Sequence, residues 1–492
     1  MKNTILRILS LVLLLSVIGS VVLACTNTPD DPKESGSETD APTESVPETE
    51  DLYDANGYLK DDIPADIDLK NEVVTIFHWN NPKNPEFNEE DDGTIINGAL
   101  YERNVTVADR LNVQLNWVGE PGDFSQRNDF NQKIQGDLSG DCEYDIIAAY
   151  SQTIAMAATN GYAMDLIGLG DQIKLSKPWW GKDLNDMATI NGKVYFATGD
   201  ISTNYLLRMY GVFFNKSILA DNNLEDPYAL VESGKWTVDK FIELAQTLKV
   251  EDPNAGGIYG LVHDALTVEA LFYGANLCFV DKDATDMPKL SDSWNGEKAN
   301  ALTDKFGNFC KTNSALNTKD DKKLFAGSSS LFIINSLDLA MNQLADAGVE
   351  FGIVPIPKYD EAQDNYATTL NYKYTLYMIS TGTDIREVAS YTLEALASQG
   401  YRTVTPDLYE KAMKLRYTTD ETSQKMIDYI RDGVSFEIGR TFTHIFDNKT
   451  YQDIRKALAG TATKNWQTTA AGLEPAFEIQ MGKLLAAFGI NK

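Results

Sequence analysis

The sequence predicts an α/β protein whose sheets are mostly parallel and flanked by helices. Two observations carry this. Short apolar runs of strand length alternate with stretches whose apolar residues recur at helical spacing, the pattern of βαβ units. The 492 residues are also 43% hydrophobic and 10% aromatic, enough to build a large core and too much for a disordered chain. Basic residues number 43 and acidic ones 72, a net charge of −29. A nucleic-acid face needs clustered Lys and Arg, so nucleic acid is excluded as the expected partner, and anionic lipid headgroups offer no attraction. Net charge does not describe one cleft, and a local basic pocket remains compatible with it.

Taken in order, the first element is an address. Lys2 and Arg7 precede the apolar run Ile8 to Leu23, the core of a secretory signal. It ends in Val22-Leu23-Ala24-Cys25, which resembles the bacterial lipobox, whose cysteine is lipidated and becomes the new N-terminus. An uncut transmembrane anchor is the alternative. Two or three acyl chains on Cys25 would hold the protein at a membrane. From Thr26 to about Asp54 the chain is Pro, Ser, Thr, Glu and Asp. Such a segment buries too little surface to offset its ordering entropy, and it reads as a flexible acidic stalk. Of the remaining cysteines, Cys142, Cys278 and Cys310, an odd number cannot all pair. Free thiols are expected, with Cys278–Cys310 the one plausible bridge.

The body is expected to start near Ile67. Val73 to Phe77 is a strand leading into His78-Trp79-Asn80. Ile96, Leu100, Val107 and Leu111 mark a helix, and Val113 to Val118 a second strand. A polar helix runs near Phe130 to Leu138, and Asp145 to Ala149 is a buried strand before Tyr150-Ser151. Val194 to Ala197 and Gly211 to Phe214 read as strands. Thr237 caps a helix carrying Phe241, Leu244 and Leu248, and Trp236 before it suits a hydrophobic staple. Leu302, Phe306 and Phe309 mark another helix. Leu331 to Ile334 is a strand leading into Asn335-Ser336-Leu337-Asp338. Phe351 to Pro357 is a strand stopped by prolines, and Tyr374 to Ser380 another. Helices follow at Val388 to Leu396 and along the tail, with Phe477, Met481, Leu484 and Phe488 on one face.

Enzymatic signatures are sparse. His78, His263 and His444 form neither HExxH nor an i, i+4 pair; no GxxxxGK[ST] and no GxSxG occurs. Asp221, Asn223, Glu225 and Glu232, and again Asp281, Asp283, Thr285 and Asp292, follow a calcium-loop spacing. Both sets lack the turn glycine, replaced by Asp226 and Asp286. No cofactor or metal is expected.

The ordered pieces carry a resemblance. They are Asn191-Gly192-Lys193-Val194-Tyr195, Tyr210-Gly211-Val212-Phe213-Phe214-Asn215-Lys216, Trp236-Thr237-Val238-Asp239, Phe325-Ala326-Gly327 to Asn335, and Val354-Pro355-Ile356-Pro357. Together, over roughly Val73 to Leu396, the chain resembles the extracellular solute-binding lipoproteins of bacterial ABC importers, in the carbohydrate-uptake class. The resemblance implies a two-lobed type II periplasmic-binding-protein-like fold and a non-catalytic monomer. It would be lipid-anchored outside the cytoplasm and deliver solute to a permease. The expected organisation is 1–24 signal peptide, 25–66 stalk, 67–208 and 355–400 lobe 1, and 209–354 and 401–492 lobe 2. Tyr210 to Asn215 and Val354 to Pro357 would be the crossings between lobes.

In open α/β sheets ligands sit outside the carboxyl ends of strands. The candidates are therefore Trp79, Asn80, Tyr150, Ser151, Asn335, Ser336 and Tyr372, with Trp180 as a further ring. Sugars pack C–H faces on aromatic rings and pair hydroxyls with amides and hydroxyls. Each has a plainer reading: Trp79 as packing, Trp180 as a wedge between helices, Asn335 as a helix cap. Arg208 and Lys373 would meet a carboxylate or hydroxyls, or remain solvated charges. The rivals are a same-fold receptor for a peptide or other small molecule, and a surface glycosidase with two opposed carboxylates.

Overall fold

The computed structural model describes residues 52–252, 256–409, 411 and 421–490. The signal run, Cys25 and most of the expected stalk lie outside the described residues. Eleven strands are described: β1 (Glu72–Trp79), β2 (Val113–Glu120), β3 (Ile146–Tyr150), β4 (Tyr210–Asn215), β5 (Tyr259–His263), β6 (Val280–Lys282), β7 (Pro288–Leu290), β8 (Ala315–Asn317), β9 (Ser330–Ser336), β10 (Phe351–Val354) and β11 (Thr375–Ile379). They form a four-stranded sheet in the order β11-β3-β1-β2, a five-stranded sheet in the order β10-β4-β9-β5-β8, and the hairpin β6-β7. In the first, β1 runs parallel to β2 and β3, and only β11 is antiparallel. In the second, β5, β8 and β9 are parallel, β4 runs against them, and β10, antiparallel to β4, closes that edge. The mostly parallel sheets expected from the βαβ pattern are present.

Local chemistry explains the helices that flank them. Helix α1 (Ile95–Leu111) buries Ile96, Leu100, Val107 and Leu111, the stripe that predicts it. It ends at Asn112, whose left-handed backbone (φ 51°) turns its N–H back onto Ala108 and Asp109. In α2 (Val238–Gln246) the Thr237 hydroxyl accepts from Lys240 N. Trp236, one residue before that cap, meets Phe241 edge-on with centroids 5.7 Å apart, the expected staple. The other helices that matter below are α3 (Arg386–Gln399), α4 (Glu421–Asp432), α5 (Ile438–Thr441), α6 (Asn448–Leu458) and α7 (Trp466–Ala487). Among the described residues no helix is long and apolar enough to cross a membrane.

Three expectations are corrected, and one sequence spacing finds its place. Val194 to Ala197 joins neither sheet. It touches β11 through the single bridge Ala197–Tyr377 and then turns at Gly199, where a Cβ would lie 2.1 Å from the Trp179 carbonyl oxygen. The Asp281–Asp292 stretch, whose spacing is that of a calcium loop without its turn glycine, folds around the β6-β7 hairpin. Tyr210 to Asn215 and Val354 do not cross between sheets: they belong to β4 and β10, neighbours in the second sheet. The stalk is shorter than expected, because the chain is already tied down before Ile67. Tyr53 bridges Leu59, Ile63 is buried, and the Asp61 carboxylate accepts from Arg110 (2.6 and 2.8 Å), Arg402 (3.1 Å) and Ser398 (2.6 Å). Cys142, Cys278 and Cys310 are free, half-buried thiols.

Two buried carboxylates lie close behind the first sheet and titrate in opposite senses. Burial opposes the charge on Asp61, but hydrogen bonds from Arg110 and Ser398 and the charges of Arg110 and Arg402 outweigh it. They hold the group well below the usual carboxylate range. Glu394 on α3 accepts from the indole N–H of Trp179 (3.0 Å) and of Trp180 (2.9 Å) and from Lys174 N (3.1 Å). Those neutral donors do not offset its burial, and its pKa rises from 4.5 to about 7.

The signs follow by linkage. The stability from Asp61 is present above its ordinary pKa and lost as pH falls toward the folded value. The stability from Glu394 is full below pH 4.5 and lost as pH rises through about 7. Asp61→Asn should release 53–66, seen as faster amide exchange and proteolysis there, and should lower stability by about 1–3 kcal/mol. Glu394→Gln should remove part of the decline in melting temperature between about pH 5 and 8. The difference in pH slope corresponds to about 3 kcal/mol, and parallel slopes in thermal melts would refute the assignment.

Candidate functional site

The site grows from the place where the chain passes between its sheets. Met209 and Leu370 form an antiparallel bridge, with Tyr210 N donating to Thr369 O (3.0 Å) and Asn371 N to Arg208 O (2.7 Å). Leu337 N donates to Met209 O (3.0 Å), tying this crossing to the end of β9. Ser151 N donates to Tyr374 O (2.9 Å), tying it to the end of β3. The carboxyl ends of parallel strands from both sheets therefore converge on one short two-stranded crossing, which is where α/β sheets bind ligands.

On one flank the groups are polar. The buried Arg208 donates from Nη1 to Asp338 Oδ2 at 2.8 Å. Ser336 donates its hydroxyl to the other Asp338 oxygen. Asn342 donates its amide to Asp338 Oδ2 and to Asn84 Oδ1, each at 3.0 Å. Asn84 thus links the loop after β1 to the segment after β9. That loop is braced by Asn84 donating to Asn204 (3.1 Å) and by the fully buried Glu86, which accepts from Tyr377 (2.9 Å) and Asn204. Asn335 Nδ2, Arg208 Nε and Arg208 Nη2 are buried with no hydrogen-bond partner among the described residues. Burial lowers the pKa of Lys83, Asp338 raises it, and Lys322, Arg208 and Lys373 lower it further. These five charges share one neighbourhood.

On the other flank the groups are aromatic and ionic. Glu269, fully buried, accepts from Arg440 Nη2 (2.8 Å) and from Arg455 Nε. Arg455 also donates to the Tyr372 hydroxyl (2.7 Å), and the Arg440 guanidinium lies 4.2 Å from the Tyr372 ring centroid. Arg440 further donates to Thr369 Oγ1 (2.6 Å) and Leu370 O (2.8 Å), so α5 and α6 grip the crossing itself. Burial opposes the Arg440 charge, but Tyr372 and Glu269 outweigh it and hold the guanidinium above its ordinary value.

The predicted residues divide accordingly. Trp79, Tyr150, Ser151, Asn335, Ser336 and Tyr372 are brought together around the crossing, and Asn80 is exposed at the end of β1. Trp79 is 1% exposed and donates its indole N–H to Thr375 Oγ1 (3.0 Å); as placed here its ring wedges β1 against β11 and offers no free face for stacking. Ser151 donates to Tyr372 O (2.8 Å). Asn335 caps nothing; its oxygen accepts from Ser336 N (3.0 Å). Trp180 is held instead by Glu394 and lines a separate cavity of about 260 Å³ with Tyr205, Asp200 and Arg431. Sequence reasoning missed Lys83, Asn84, Asp338, Asn342, Glu269, Arg440 and Arg455. Asp338 had a signal, lying two residues beyond the predicted Ser336, whereas the arginines of α5 and α6 had none.

Among curated proteins no relative matches. Solved structures share the fold. The cyclic alpha-maltosyl-1,6-maltose binding protein of Arthrobacter globiformis is 16% identical, with TM-score 0.58 over 84% of this chain and 99% of that one. The galacto-N-biose-/lacto-N-biose I-binding protein of Bifidobacterium longum, in complex with lacto-N-biose, is 12% identical, with TM-score 0.57 over 86% and 98%. UgpB of Mycobacterium tuberculosis, in complex with glycerophosphocholine, is 14% identical, with TM-score 0.55 over 84% and 99%. At these identities the likeness is one of fold, two lobes around a cleft. The model of the bacterial extracellular solute-binding proteins matches residues 111–401, more than half of the sequence. With its paired sheets and the convergence of their strand ends on one crossing, the chain belongs to the bacterial extracellular solute-binding protein family.

Proposed function

We propose that the protein captures a carbohydrate, an oligosaccharide, between two lobes and delivers it to an ABC import permease without chemical change. The carrying observation is the convergence at the crossing of amide, hydroxyl and aromatic groups on strand ends from both sheets. Asn84, Asn335, Ser336 and Asn342 supply the paired donors and acceptors that sugar hydroxyls require, and Tyr150 and Tyr372 supply rings. Two of the structural neighbours are described as binding oligosaccharides. The lobes would be 53–208 with 370–409, and 209–369 with 421–490, hinged at 208–210 and 369–371. Cys25 would carry the lipid that keeps the protein outside the cytoplasm and near its permease. A hydrolytic reading is less well supported, because Asp338 is engaged by Arg208, Ser336 and Asn342, and Glu269 by two arginines.

Thermal melts of the full chain against a panel of mono- and oligosaccharides test the reading. The true ligand at about 100 times its Kd should stabilise by about 2.7 kcal/mol, and scattering should show a radius of gyration no larger than that of the free protein as the hinge closes. Binding by peptides with none by saccharides would overturn it. Trp79→Ala should lower the melting temperature even without ligand, by the equivalent of about 3–5 kcal/mol for a buried ring. An unchanged melt would put that ring in the cleft after all.

A further inference from the structure

The polar flank of the crossing holds more positive charge than its own carboxylate balances. Arg208 is 94% buried at its side chain, yet only Nη1 is used, by Asp338. Its Nε and Nη2, the two N–H groups along one edge of the guanidinium, are buried and without a partner among the described residues. That edge is the fork that takes the two oxygens of an oxyanion in parallel. An unsatisfied buried donor on a charged group costs more than a neutral one, so a state in which the edge is filled is favoured. Neighbouring charge has the same sign. Lys83 is adjacent to Asn84, which Asn342 links to Asp338. Lys373 lies two residues beyond Asn371, whose N–H donates to Arg208 O. Lys322 sits in the short helix Asp321–Ala326 that follows β8. Among the described residues, the ammonium groups of Lys83, Lys322 and Lys373 form no salt bridge. In a chain of net charge −29, Lys83, Lys373 and Arg208 around Asp338 make a local reversal of sign, with Lys322 offset by the adjacent Asp321.

We propose that the bound saccharide carries an oxyanion, of which the planar carboxylate of a uronic acid is the best match, seated on the free edge of Arg208 between Lys83 and Lys373. The proposal rests on the carbohydrate reading and narrows it to anionic sugars. Closing the hinge over a neutral sugar would desolvate these cations against Asp338 alone. An oxyanion supplies the missing counter-charge at the moment water is excluded. The edge is covered in this structure, so the sugar reaches it while the hinge is open and is held once it closes.

Calorimetric titration of the full chain with matched pairs, galacturonic-acid oligomers against galactose oligomers and glucuronic acid against glucose, is the test. Glucose 6-phosphate and a sulfated galactose are the arms that separate other oxyanions from carboxylate. The acidic member should bind about tenfold tighter or more than its neutral counterpart, and this advantage should shrink between about 20 and about 300 mM salt. Lys83→Gln or Lys373→Gln should weaken the acidic member about three- to tenfold and the neutral one less than about twofold. Arg208→Gln should abolish the preference, but it strips Asp338 of its partner and destabilises the crossing; the lysine variants keep the test decisive. Preference for the phosphate or sulfate ester over the carboxylate would support the oxyanion and reassign its source. Equal affinity within each pair, or a preference untouched by both lysine variants, overturns the proposal and leaves the carbohydrate reading standing. Failure of every saccharide to bind the folded protein overturns the carbohydrate reading itself.

Discussion

Everything near the cleft hangs on the backbone pairing of Arg208-Met209-Tyr210 with Thr369-Leu370-Asn371. These residues connect one sheet to the other, and their hydrogen bonds leave the two strands little freedom except to bend together. Because the strand ends of β3 and β9 are stitched to the same few residues, a change in angle there moves whole strand ends relative to each other. In the proposed reading, a crossing of two paired strands would convert a small local rotation into opening and closing of the space between the sheets.

Buried charge around this crossing follows two regimes. Glu269 is shared by Arg440 and Arg455, and Asp61 by Arg110 and Arg402; in each case the carboxylate is saturated with donors and its partners are fixed. Such clusters cost desolvation energy that their geometry recovers, and removing one member leaves an uncompensated ion. They act as braces: the first locks α5 and α6 onto the crossing, the second locks the segment after Tyr53 onto α1 and α3. Arg208 is different. It is more buried than any of these arginines, but the edge formed by its Nε and Nη2 is unspent and the ions around it repel one another. Arg440 also leaves its Nε without a partner among the described residues, but it spends both Nη groups, whereas Arg208 leaves a whole edge open at the position proposed for the ligand.

Periodicity alone was enough to read the α/β class and its mostly parallel strands; the two-lobed arrangement came from the resemblance. Val73 to Phe77, Ile146 to Ala149, Leu331 to Ile334 and Thr375 to Ile379 are strands because their local pattern permits little else, and Thr237 with Trp236 starts a helix by the chemistry of its own first turn. The strand-end rule then brought Tyr150, Ser151, Asn335, Ser336 and Tyr372 to one place without knowledge of any contact. What the local pattern could not decide was partnership. Trp180 resembles a sugar platform until Glu394, 214 residues away, claims its indole N–H, and Trp79 until Thr375 does the same from 296 residues away. Val194 to Ala197 has strand composition but pairs with the edge strand β11 only at Ala197 before the chain turns at Gly199. The stalk composition did not foretell that Asp61 would find two arginines, and nothing in α5 or α6 announced that Arg440 and Arg455 would reach the crossing. Hydrophobic periodicity is a short-range property that each segment carries with it. Whether a polar side chain is braced, spent or left open depends on groups hundreds of residues distant, and only the tertiary structure brings those together.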